Sequence, residues 1–188
     1  MQSDNINKSV AQPGSHAALF VDFNKMLNRR QERSSSVLSD CDIQCNLLLT
    51  VLNYLEREKR ISAVIRNCYA DFELLAGQPA LQSLRLMGFE TRHYTRLSGM
   101  DAHNILMVLD ALETLYTRKN IDVFVLAVND RCNIDLIRTI QKNGKRVLIL
   151  ADPLNLSGDL LYNVGHDNII SMRNSNISFP GSSVIPML

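Results

Sequence analysis

Neither sign of charge dominates this sequence: 20 lysines and arginines stand against 19 aspartates and glutamates in 188 residues. A chain so balanced has no strong overall field, so any nucleic acid would have to be met by a local patch. Long apolar runs are also missing. Val123–Val128 and Val147–Ala151 are far too short to cross a bilayer, and the polar opening Met1–Ser15, rich in Ser, Asn and Gln, has no apolar signal-peptide core. Cysteine is sparse, and Cys41, Cys45, Cys68 and Cys132 have neither zinc-knuckle nor redox-pair spacing. A chain of this length buries a core without staples. One domain with reduced thiols, in the cytoplasm and with no membrane partner, is therefore expected. Cys41 and Cys45, one helical turn apart, are expected to be core or interface thiols rather than metal ligands.

What is present is alternation. Short β-branched or aromatic runs recur at Ala18–Phe23, Ala63–Ile65, Phe89–Tyr94, Val123–Val128, Arg146–Leu150 and Asn168–Ser171. Segments of helical length, with apolar residues three and four apart, separate them. This pattern predicts βα units on a parallel sheet. Gly88 and Gly144 each follow an apolar-periodic segment and precede a strand, so each is expected to stop a helix. Pro79 suits the first turn of the helix that Gly88 ends. Ser39 or Asp40 is expected to cap the helix through Leu47, Leu48, Leu49, Leu52 and Leu55. Arg29–Ser36 and Ser175–Leu188 break the alternation and read as loop or tail, the first either solvated or clamping a polyanion. The expected layout is a flexible leader over 1–16, one domain over 17–172 and a C-terminal tail over 173–188.

The apolar run Ala17-Ala18-Leu19-Phe20-Val21 stops at Asp22, and Val123–Val128 is followed closely by Asp130. A buried parallel strand that ends in an acid puts the carboxylate at the lip of the sheet, where open α/β folds hold ligands. Two such acids on one rim would suit a hard dication such as Mg²⁺, which can activate water against a phosphodiester. The plainer reading, that each aspartate caps the following helix, stands equally. No glycine-rich turn follows the first strand, which argues against a dinucleotide site. Asn24 stands where an aspartyl-phosphate phosphatase needs a second acid, which argues against that chemistry too.

Phe20-Val21-Asp22-Phe23-Asn24, Tyr69-Ala70-Asp71-Phe72, the segment Leu84–Phe89, the helix Ala102–Glu113, and the unit formed by Val123–Asp130, Leu136-Ile137-Arg138 and Gly144–Val147 together resemble the NYN domains of the PIN-like nuclease superfamily. The likeness covers most of Ala18–Ser171. It implies a three-layer α/β/α sandwich on a mainly parallel sheet, with an acidic pocket that binds Mg²⁺ or Mn²⁺ and often cleaves RNA. By position it marks Asp22 and Asp130 as metal-binding acids, Asn24 as the polar residue beside the first, and Asp71 as a further candidate ligand. The sequence departs from the family where Asn104 and Cys132 replace aspartates. An amide oxygen can coordinate a cation, but it neither attracts one as a carboxylate does nor serves as a base.

Asp101, three residues before Asn104, is expected to compensate if the helix starts early enough. Asp101 and Asp110 lie half a revolution apart and cannot both face the pocket. Asp110 is expected to hold a neighbouring loop or cap instead. Two functions follow from the resemblance: an RNA phosphodiesterase using Asp22, Asp130, Asn24, Asn104 and Asp101, or an inactive nuclease fold that binds RNA, a protein partner or a second copy. Arg92, His93 and Arg96 either flank the pocket as phosphate contacts or form a solvated loop. His103 is expected at the surface. Glu56–Arg60 reads as an exposed face, and Met100, Met107, Leu112 and Tyr116 as helix packing.

Overall fold

The computed structural model describes residues 14–23, 26, 37–72, 78–94, 102–128, 133–152, 156–173, 176–178 and 185–186. Strands and helices alternate as β1 (Ser15–Asp22), α1 (Val37–Arg57), β2 (Ile61–Ala70), α2 (Gln78–Leu86), β3 (Glu90–His93), α3 (Ala102–Thr117), β4 (Val123–Ala127), α4 (Ile134–Lys142), β5 (Arg146–Ala151), α5 (Gly158–Val164) and β6 (Ile169–Arg173). The sheet runs β3-β2-β1-β4-β5-β6, and every pair in that series is parallel. Two short strands, β7 (Asn176–Ser178) and β8 (Ile185–Pro186), extend it antiparallel beyond β6. The reading of Ser175–Leu188 as loop or tail is thus corrected in part. Pro186 lies on the outermost strand, where a missing N–H costs no ladder bond on the open side.

Strand alternation divides the interior into two cores. Leu19 and Val21 of β1 join Val125 and Leu148 under α1 and α2, while Ala18, Phe20, Phe124 and Leu126 face α3, α4 and α5. Phe20 and Phe124 stack with centroids 6.2 Å apart. Each helix supplies a stripe at 3.6-residue spacing: Cys41, Cys45, Leu48, Val51, Leu52 and Leu55 in α1, and Leu136, Ile137 and Ile140 in α4. Helices on both faces leave the central strands without a solvated side, which is why they read as unbroken apolar runs.

The helix stops are as expected: Gly88 and Gly144 follow α2 and α4 at φ +77° and +73°. Pro79 sits in the first turn of α2. The helix α1 begins earlier than expected, at Val37, so Ser39 and Asp40 lie within its first turn rather than at its start. Tyr116 does not pack as expected; it is 55 % exposed, whereas Met107 is buried and Leu112 partly so. No described helix is long and apolar enough to cross a membrane. Arg29–Arg30 and Gln31–Ser36 lie outside the described residues.

Candidate functional site

β1 lies between β2 and β4, with Asp22 opposite Tyr69 and Val21 opposite Ala127. From β1 the chain builds β2 and β3 on one side and, after crossing back, β4 to β6 on the other. The carboxyl end of β1 is therefore a topological switch point, where flanking loops diverge and leave a crevice. Asp22 is the last residue of β1 and is only 2 % exposed. Asp71 directly follows β2 and is 5 % exposed. By alternation Asp22 falls on the side of Ala18 and Phe20, the face covered by α3.

α3 connects the carboxyl end of β3 to the amino end of β4, so its first turn lies at the same rim as Asp22 and Asp71. Asn104 is in that turn, partly buried, and begins the stripe continued by buried Met107, Ala111 and Leu115. The structure thus brings Asp22, Asp71 and Asn104 to one edge of the sheet. Asn24, Asp101, Asp130 and Cys132 lie outside the described residues. Among the described residues, no group of three His, Cys, Asp or Glu side chains is arranged to hold a metal ion.

Asp110 does not serve a loop or cap; it ties α3 to two strands. The Tyr69 hydroxyl donates to its Oδ2 at 2.6 Å, and Arg92 Nε lies 3.6 Å from the same oxygen. Asn67 Nδ2 donates to the Tyr69 hydroxyl at 3.3 Å, and Arg92 also pairs with Glu90 at 3.0 Å. Burial first, and then donation to the Asp110 carboxylate, holds the Tyr69 phenol far above its ordinary pKa. Arg92 and His93 belong to β3 rather than to a loop after it, and His93 Nδ1 accepts from the Phe72 backbone N–H at 3.3 Å. Arg96 lies outside the described residues.

On the opposite face Cys41, Cys45 and Cys68 are buried in the core. Burial, with Cys41 and Asp42 nearby, pushes Cys45 up to about 11, and burial with Cys45 and Asp22 nearby raises Cys68 well above the usual thiol range. Such thiols stay protonated and inert at neutral pH. Asp152, partly buried directly after β5, is an acid at the rim that the sequence reading passed over. Its signal was the one that marked Asp22, since the run Val147–Ala151 also ends in an aspartate.

A protein of unknown function from Vibrio parahaemolyticus has the same fold, with a TM-score of 0.62 and 20 % identity over 95 % of this chain and 100 % of that one. A Staphylococcus aureus homoserine dehydrogenase gives a TM-score of only 0.35 at 12 % identity, over 72 % of this chain and 25 % of that one. No curated protein matches the sequence. The profile of the NYN domain matches residues 16–166, which takes in β1 through α5 and every rim position described above. With that match over most of its length, on a parallel sheet whose central strand ends in a buried aspartate, the chain belongs to the NYN domain family of PIN-like nucleases.

Proposed function

We propose that this chain is a metal-dependent RNA phosphodiesterase of weakened activity, worked from the lip where β1 ends. The family is nuclease-like in general, its members typically act on RNA, and they generally depend on a divalent metal. The observation that carries the reading is Asp22: a carboxylate almost wholly removed from water at the switch point of a parallel sheet. A carboxylate held at such a lip offers the anionic oxygen donors that a hard cation takes.

The donors at the rim fit a hard dication. Asp22 and Asp71 supply carboxylate oxygens and Asn104 an amide oxygen, a set that Mg²⁺ or Mn²⁺ would complete with several waters. Asp22, Asp71, Asn104 and Asp130 would hold it, and Asn24 and Asp101 would complete the surroundings. Bound there, it would supply an activated water and charge neutralisation at phosphate. Asn104 contributes no charge and takes no proton, which lowers both affinity and rate. The working unit is residues 17–172, acting in the cytoplasm.

Calorimetric titration with Mg²⁺ or Mn²⁺, beside Asp22→Ala, tests this reading. Saturable binding that disappears in the variant, with cleavage of single-stranded RNA that Asp22→Asn abolishes, is the expected result. Cleavage that survives Asp22→Asn would sink the proposal.

A second reading is favoured by the amide at Asn104. In it the fold binds RNA, a protein partner or a second copy without cutting. RNA binding that persists in EDTA, with no metal uptake at millimolar concentration, would select it.

A further inference from the structure

The sheet edge opposite the Asp22 lip receives five helix-to-strand connections, one before each of β2 to β6. Counted from the last α-helical residue to the first strand residue, they hold eight lysines and arginines against four aspartates and glutamates. The whole chain carries 20 against 19, so its near neutrality conceals a polarity: this edge is basic, and the remainder of the sequence has an acidic excess. Six of the eight cations are exposed, and among the described residues none of the eight enters an ion pair. This edge is the kind of local patch that a chain without an overall field needs in order to meet a polyanion.

The cations gather because β2, β1, β4 and β5 are neighbours. Arg60 precedes β2 and Arg146 opens β5, three strand spacings or about 15 Å apart. Lys145 Nζ donates to the Lys119 carbonyl at 3.1 Å, which joins the connection before β5 to the one before β4. Cations in the last turn of a helix also offset its negative end, but that role covers only Arg57 and Lys142. Two aromatic rings stand beside the patch. Tyr116, in the last turn of α3, is 55 % exposed, and Tyr162, in the last turn of α5, is 90 % exposed. Both helices run toward the basic edge on the same face, with α4 and its Lys142 between them. Exposed rings among unpaired cations suit a single strand, whose phosphates meet the cations and whose bases stack on the rings. A lipid surface would need apolar anchors among the cations, and the connections present Asn120, Asn143 and Gly144 there instead.

We propose that this amino edge is a second RNA contact, in which a single-stranded segment lies across the ends of α3, α4 and α5, with phosphates on Arg118, Lys119 and Lys142 and bases on Tyr116 and Tyr162. β1 spans eight residues, so the edge lies about 26 Å from the Asp22 lip. The contact holds RNA and takes no part in the chemistry. It rests on the reading that the chain acts on RNA, but it requires neither metal nor cleavage.

Fluorescence anisotropy on the full chain tests it, with a labelled single-stranded RNA of about eight nucleotides, in EDTA, at salt from about 50 to 200 mM. Saturable binding that weakens as salt rises is expected. Replacing both Lys119→Gln and Lys142→Gln should reduce the slope of log affinity against log salt by about 1.4, because each lost phosphate contact removes about 0.7. Tyr162→Ala should weaken binding about fivefold or more and leave that slope unchanged. All three side chains are exposed, so these substitutions spare the core. Mg²⁺ titration of the double lysine variant should match that of the parent chain, which separates a failed RNA edge from a failed metal site. An unaltered salt slope in the lysine variant, an unaltered affinity in Tyr162→Ala, or tighter binding to phosphatidylserine vesicles than to RNA would overturn the proposal.

Discussion

Tyr69 illustrates what a single side chain contributes here. Its ring is buried in the core under α3, and its hydroxyl crosses from β2 to Asp110, 41 residues further along the chain. Tyr69→Phe keeps the ring but removes the one donor that approaches Asp110 closely, leaving that carboxylate to Arg92 at 3.6 Å. A hydrogen bond to a charged acceptor contributes about 1.5–3 kcal/mol, so urea denaturation should record a loss in that range. The variant should also weaken metal uptake at the rim if the bond sets the placement of Asn104 on α3, which calorimetry would reveal. Asp22 was legible in the sequence because it closes an apolar strand, whereas Asp71 was marked only by the family resemblance. The Tyr69–Asp110 tie was not, because nothing local distinguishes a tyrosine that bonds across the fold from one that only packs. The same blindness assigned Asp110 to a loop or cap.

At the scale of elements, strands buried on both faces were the most readable. β1, β4 and β5 are continuous apolar runs, and their limits nearly match the expected ones. β2 was read as Ala63–Ile65 but extends over Ile61–Ala70, because Arg66 and Asn67 interrupt its apolar character. Arg66 escapes the cost of partial burial by donating to the Ala63 and Met87 carbonyls, a solution visible only in three dimensions. β7 and β8 were hidden by their Ser, Asn and Pro content, which resembles that of a loop. The stops were legible because left-handed backbone favours glycine. Gly144, at φ +73° with nothing within 4 Å of an added Cβ, isolates that backbone cost from any steric one. Gly144→Ala should destabilise by about 1–2 kcal/mol, measured as a shift in the urea midpoint. Ile137→Ala, in the fully buried stripe of α4, should cost about 2–5 kcal/mol by the same measure.

For the molecule as a whole, buried acids with raised pKa values set the alkaline limit of stability. Below pH 9.0 the folded and unfolded chains both keep the Cys45 thiol protonated. Between 9.0 and about 11 the unfolded chain releases that proton while the folded chain retains it. The unfolded state then binds fewer protons, so stability falls as pH rises through this window. Cys68 and Tyr69 shift in the same direction and extend the loss to higher pH. Urea midpoints measured from pH 8 to pH 11 should therefore decline, and Cys45→Ala should make the decline shallower. A flat profile would mean that the thiols ionise equally in both states.

The position of β1 at the centre of the sheet also governs the order in which the chain can fold. Its partner β4 arrives more than a hundred residues later, with Ala18 opposite Phe124. During synthesis β1, β2 and β3 can pair early, but one edge of β1 stays open until β4 emerges. Contacts this far apart in sequence make folding slow and leave an apolar strand edge available to wrong partners in the interval. A nascent chain halted before Val123 should consequently be a client for chaperones, while one extended through Ala127 should lose that dependence.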